Sequence, residues 1–112
     1  PAILKGWMDN VFLPGHAYDT GKTFTNGLWN KKTASLAITT QSPETAYRQN
    51  GVHGAEIEQF LLPFTHALRF TGIKTIKPFV AYQVFGLDAT AQEKVIANYK
   101  NYLAALPTLR SL

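Results

Sequence analysis

TASLAITTQSPETAYRQNGVHG, residues 33–54, runs from an apolar strand candidate, Thr33 to Ile38, through a polar loop to an amphipathic helix candidate beginning near Gly54. Open α/β sheets take up ligands just beyond the carboxyl ends of their strands, so the loop carrying Tyr47 and His53 is where chemistry is expected. Downstream, Ile57, Phe60, Leu61, Phe64 and Leu68 recur at helical spacing and Gly72 supplies a stop signal. Pro63 falls inside that helix and is expected to kink it or to free a carbonyl.

TIKPFVAY, residues 75–82, reads as a second strand; Pro78 removes a ladder donor and places it at a sheet edge. Thr90 and Glu93 have capping-box spacing ahead of a last helix whose Val95, Ile96, Tyr99, Leu103 and Leu106 make one apolar stripe, ended by Pro107.

Upstream, PAILKGWMDNVF, residues 1–12, reads as a helix from its first residue. Ile3, Leu4, Trp7, Met8 and Val11 share one face, and core packing is the expected role of Ile3, Leu4, Met8 and Trp7. Residues 13–32 are rich in turn formers, and a stretch so long and irregular is usually functional or covered by a partner. Within it GHAYDTGKT, residues 15–23, imitates a phosphate loop. Its two glycines are one residue too far apart and it follows a helix where that motif follows a strand, so it is a decoy.

The order helix, long loop, strand, helix, strand, helix argues for a parallel sheet with right-handed crossovers. Two parallel strands make a poor domain, and Thr33 to Ile38 is apolar enough to be buried on both faces. Its free side would be an unpaired ladder, so the pattern predicts further strands from an absent N-terminal half, a partner chain or an extended interface.

A chain of 112 residues with 46% hydrophobic content suffices for one packed domain. The net charge of +4 comes from scattered Lys and Arg, which argues against a nucleic-acid partner. Cys is absent, which removes disulfides, thiolate metal sites and Cys nucleophiles and leaves a reducing cytoplasm as the default location. No run approaches a membrane span. His16, His53 and His66 lack the carboxylates or close pairing of a metal site, so no metal is expected. Glu56 and Glu58 read as a solvated helix start. On spacing alone, His53 is a polar residue at a helix start and Tyr47 an ordinary half-buried loop aromatic.

In this order, PAILKGWMDNVF, PGHAY, TTQSPETAYRQNGVHG, the helix with LLPF, and FTGIKTIKPFVAYQV closely resemble the carboxyl-terminal portion of the flavodoxin-like NAD(P)H:quinone oxidoreductases. The likeness covers nearly the whole chain but only the later part of that fold. It implies that residues 1–112 are the C-terminal part of a single flavodoxin-like α/β domain, a parallel sheet represented here by two strands and three helices with the N-terminal strands missing.

The resemblance further implies an enzyme that passes hydride from NADH or NADPH through FAD or FMN to a quinone, working as a homodimer with flavin sites at the subunit interface. Thr39, Thr40, Gln41 and Ser42 match positions that hold the polar edge of the flavin ring. Tyr47 and His53 match a tyrosine and a histidine that face the ring and help accommodate charge and protons. Tyr18 matches a tyrosine that reaches the neighbouring subunit's substrate pocket, which His53 also lines. The chemistry is sensible: a donor aimed at the reduced ring stabilises its negative charge, and Tyr47 and Thr40 are the donors at hand. Imidazole titrates near neutrality, which suits His53 to proton transfer.

The chain departs from the family in lacking the first strand with its phosphate-binding turn, and in carrying Gln41 and Ser42 where glycines are common and Asn10 where a basic residue often stands. The alternative is therefore a non-catalytic interaction or dimerisation module that keeps the apolar helix faces but cannot hold flavin.

Overall fold

The computed structural model describes residues 1–109. The elements in chain order are α1 (Ala2–Val11), β1 (Thr33–Ala34), β2 (Ala37–Thr39), α2 (Ile57–Phe60), α3 (Leu62–Phe70), β3 (Lys74–Thr75), β4 (Phe79–Ala81) and α4 (Ala89–Ala105), with single 3₁₀ turns between them. β1 pairs with β3 and β2 with β4, both parallel, so the alternating α/β pattern read from the sequence is present. Among the described residues the chain divides into two compact units: Pro1–Ala34 with Leu61–Thr75, and Ser35–Phe60 with residues 76–109.

Both expected strands and the expected long helix are interrupted, so the described residues contain four short strands and four α-helical segments. Two residues, 35 and 36, separate β1 from β2, but three, 76 to 78, separate β3 from β4, so the second pairing is one residue out of step with the first. Pro78, with no N–H for a ladder, lies in the longer gap. The helix breaks at Leu61 because Pro63 cannot donate to the carbonyl four residues back and its ring crowds that carbonyl. That carbonyl is Gln59's, and the new helix opens with the Leu61 carbonyl accepting from the amides of Phe64 and Thr65 at 2.9 and 3.0 Å.

In the first unit, Met8, Ala17, Leu61, Thr71, Ile73 and Thr75 are buried. The irregular segment is held down where Gly27 crosses the end of α3. Trp29 donates its amide to the Thr71 carbonyl at 3.0 Å, and a Cβ on Gly27 would overlap the Thr71 backbone. The decoy GHAYDTGKT is a tight turn closed by the Gly15 amide on the Tyr18 carbonyl, 2.7 Å. The apolar stripe of α1 is not core: Met8 is 4% exposed, but Ile3 is 86% and Trp7 55% exposed, and Leu4 is also exposed. The stripe is wider than what packs on it among the described residues.

In the second unit the β2–β4 ladder ends in a clip. The Thr40 amide donates to the Ala81 carbonyl at 2.9 Å, and the Val84 amide returns to the Thr40 carbonyl at 3.1 Å. That return passes through Gln83, a non-glycine residue in the left-handed region at φ 54°. α4 rests on β4 through Phe79, whose ring lies 5.0 Å from Tyr99 and 5.6 Å from Tyr102. Tyr102 also donates its hydroxyl to the Lys77 carbonyl at 2.6 Å.

Three expectations are corrected. The cap of α4 is Asp88, whose carboxylate accepts from the Ala91 amide at 2.8 Å, and Thr90 lies inside the helix. The half-buried side of α4 is Ala91, Val95, Tyr99 and Tyr102, while Ile96 and Leu103 are exposed, because the strand packed against it, β4, is narrow. Nor is the first strand buried on both faces: Ala37 and Thr39 are exposed, since among the described residues no further strand covers or pairs with it. No helix among the described residues is long and apolar enough to cross a membrane.

Candidate functional site

Thr39, the last residue of β2, delivers the chain into the loop at the carboxyl end of the β2–β4 ladder, where ligands of α/β sheets gather. Thr40 braces the first turn by donating its hydroxyl to the Ser42 carbonyl at 2.8 Å. Because its amide is committed to Ala81, Thr40 has no donor to spare, contrary to its expected use as a free hydroxyl. The amides of Gln41 and Ser42 find no acceptor among the described residues.

Beyond Pro43, a 3₁₀ turn over Glu44–Ala46 buries Ala46 and presents Tyr47 half-buried. The chain then curls back so that the His53 amide donates to the Ala46 carbonyl at 3.1 Å. Gly51 makes that return possible, since a Cβ there would lie 2.5 Å from the carbonyl oxygens of Thr45 and Ala46. Gly54 follows at φ 66°, a conformation that favours glycine.

The fold of the loop brings Tyr47 and His53 together, their ring centroids 4.6 Å apart at an interplanar angle of 37°. Phe60, at the end of α2, packs edge-on to both, 5.8 Å from Tyr47 and 6.1 Å from His53. His53 Nε2 lies 3.0 Å from Ser42 Oγ, so Ser42, Tyr47 and His53 form one cluster. Either atom of that pair can be the donor, according to the tautomer of the ring.

Tyr82, just past β4, completes the aromatic wall 5.9 Å from Tyr47. Sequence reasoning treats it as a strand residue, although the rule that singles out the loop after β2 applies equally to the residue after β4. Tyr47 and Tyr82 line a cleft of about 280 Å³ together with Glu44, Glu56, Glu58, Arg48 and Lys77. Burial, then the nearby Glu44, Glu58, Tyr47 and Glu56, push the Tyr82 phenol above its ordinary 10.0.

Tyr18 belongs to the first unit. It is half-buried, edge-on to Phe70 at 5.0 Å, and lines a cavity of about 310 Å³ with Met8, Phe12, Pro63 and His66.

The family model described as a flavodoxin-like fold matches residues 1–106. NAD(P)H dehydrogenase (quinone) 1 of Cavia porcellus is 33% identical over 104 residues, covering 92% of this chain and 38% of that protein. A structure described as a putative quinone reductase from Klebsiella pneumoniae superposes with a TM-score of 0.90 at 27% identity, over 99% of this chain and 46% of that one. General stress protein 14 of Treponema denticola, solved in complex with FMN, superposes with a TM-score of 0.75 at 26% identity, over 98% of this chain and 59% of that one. The chain spans 38–39% of the length of the first curated relatives it matches.

Proposed function

This chain belongs to the flavodoxin-like fold family, and from that premise we propose that it carries the ring-facing side of a flavin site in an NAD(P)H-dependent quinone oxidoreductase. Residues 1–112 are then the carboxyl-terminal part of one such domain. The observation that carries this reading is the junction of Tyr47 and His53, 4.6 Å apart on one loop at the carboxyl end of a parallel ladder.

The residues present fit a flavin ring. The amides of Gln41 and Ser42, unaccepted among the described residues, match the acceptor edge of an isoalloxazine, and Thr39 and Thr40 brace the turn that presents them. A bound flavin, FMN or FAD, would supply the two-electron relay from a nicotinamide donor to a quinone. Tyr47 directs a phenolic donor toward negative charge developing on a ligand. His53 holds a proton at or near Nε2, exchanging it across the 3.0 Å contact with Ser42 Oγ, and so takes or gives the proton that accompanies quinone reduction.

The FMN complex of one structural neighbour and the quinone-reductase names of the others support the cofactor and the substrate class. The exposed Ile3, Leu4, Trp7 and Val11 of α1 support a second copy of the protein as the covering partner. In that homodimer Tyr18 reaches the partner's substrate pocket. A cysteine-free chain suits a cytoplasmic setting.

The test is to titrate the chain with FMN and with FAD, follow the amide resonances of residues 39–54, and assay NADPH-dependent quinone reduction. Perturbation confined to that loop, with turnover reduced by Tyr47→Phe, is expected. A loop indifferent to both flavins overturns the reading.

A further inference from the structure

We propose that the cavity between the end of α3 and the start of β3, in the first unit, is a binding site for a phosphate monoester. It has a volume of about 490 Å³, within the range of small-molecule pockets, and is lined by Phe24, Thr25, Asn30, Arg69, Lys74 and Thr75 among others. Two cations line it and no carboxylate does.

Arg69 gives the site its chemistry. Its Nε is buried and has no hydrogen-bond partner among the described residues. The one ion pair found among those residues, Lys5 with Asp9, is elsewhere, so Arg69 has no counter-carboxylate among them. A buried charged donor left unpaired is costly.

The ordinary reason for an arginine in the last turn of a helix is to cap its carbonyls, and two of those carbonyls already have other donors. The Leu68 carbonyl accepts from the Thr71 amide, the Thr71 hydroxyl and the Ile73 amide, and the Arg69 carbonyl accepts from the Gly72 amide. The terminal nitrogens of the guanidinium, which make no hydrogen bond among the described residues, are therefore left for a ligand, and the pair matches two oxygens of a phosphate. Lys74, exposed on β3, adds the second positive charge, so a dianion relieves the repulsion between the cations.

Thr25 and Asn30 offer neutral donors at the rim. Phe24, at φ 51°, is turned edge-on to Phe70, 5.4 Å away, and forms an apolar wall for the organic part of the ester. None of these residues belongs to the Thr39–His53 loop.

The experiment follows the Arg69 Nε–H resonance of the whole chain during titration with inorganic phosphate, then with phenyl phosphate, and with acetate at matched ionic strength. A saturable shift is expected with both phosphates, tighter for phenyl phosphate, and a much weaker response to acetate. Lys74→Gln, a change on an exposed strand position that leaves the core intact, weakens phosphate binding about tenfold, the loss of one charge-assisted contact. Arg69→Gln abolishes phosphate binding as read from the neighbouring backbone amides. No saturable shift, an equal shift with acetate, or wild-type affinity in Lys74→Gln overturns the proposal.

Discussion

His53 Nε2 sits 3.0 Å from Ser42 Oγ while its backbone amide is fixed at 3.1 Å on the Ala46 carbonyl, so an exposed histidine is anchored at both ends beside Tyr47. Under the proposed function this anchoring positions the imidazole for proton transfer. In any preparation that reduces quinone, His53→Gln is expected to lower kcat about 10²-fold, the low end for general acid–base catalysis, without changing flavin affinity. Steady-state rates across pH, with flavin fluorescence alongside, make the check. Unchanged turnover at every pH removes His53 from the proton path.

Gly51 and Ala46 give a second prediction. A Cβ at residue 51 would lie 2.5 Å from two backbone oxygens, neither of which can rotate away, so Gly51→Ala forces the loop open. Loss of about 1–3 kcal/mol is expected, as for other overpacked sites, with the His53 amide losing its hydrogen-exchange protection. Urea denaturation and amide exchange measure the two effects. A full-stability variant with that amide still protected would contradict the geometry.

Two further glycines predict opposite signs. Gly27 lies against the Thr71 backbone with no room for a methyl group, whereas a Cβ on Gly6 in α1 would meet nothing within 4 Å. Gly27→Ala is expected to cost about 2–3 kcal/mol through overpacking. Gly6→Ala is expected to stabilise by about 0.5–1 kcal/mol through helix propensity. Thermal melts of both variants beside the wild type suffice: a Gly27→Ala melting point at or above the wild type contradicts the first prediction, and a Gly6→Ala melting point below it the second.

What the sequence discloses and withholds follows from the range of the interactions involved. The loop after β2 is legible because an apolar run ending in TTQS marks a strand end locally, and the position of Tyr47 and His53 beyond it follows from the α/β rule. The shared cluster with Ser42 is not, because it depends on a chain reversal at Gly51 whose necessity emerges only when Ala46 is in place. Pro63 and Pro78 announce interruptions, but their outcome, a helix restarted at Leu62 and a ladder one residue out of step, is set by which neighbours remain to be bonded. Exposure of Ile3 and Trp7 is illegible in principle: periodicity shows a face, not what covers it.

Asp88 caps α4, although the spacing of Thr90 and Glu93 points to a capping box two residues further on. Asp88→Ala is expected to cost about 1 kcal/mol, the usual value of an N-cap, and Thr90→Ala much less. Chemical denaturation of the two variants distinguishes them, and equal losses would return the capping box to consideration.

Tyr82 gives a pH dependence with a definite sign. Burial and the nearby Glu44, Glu58, Tyr47 and Glu56 raise its phenol above 10.0, so the folded chain holds that proton more tightly than the unfolded one. The resulting stabilisation is complete below pH 10.0 and is lost as pH climbs from there through the raised folded value, because only the unfolded chain ionises freely in that window. Unfolding free energies of the wild type and Tyr82→Phe are therefore expected to converge or cross on the alkaline side, the wild type falling more steeply. Tyrosinate absorbance, taken as the difference between those two proteins, locates the Tyr82 titration directly. Glu44→Gln removes one of the opposing charges and is expected to move that titration back toward the ordinary value, with burial keeping part of the shift. A difference in unfolding free energy between the wild type and Tyr82→Phe that stays flat through the alkaline range would show that Tyr82 is solvated as freely folded as unfolded, and the cleft beside Tyr47 would then be open rather than walled.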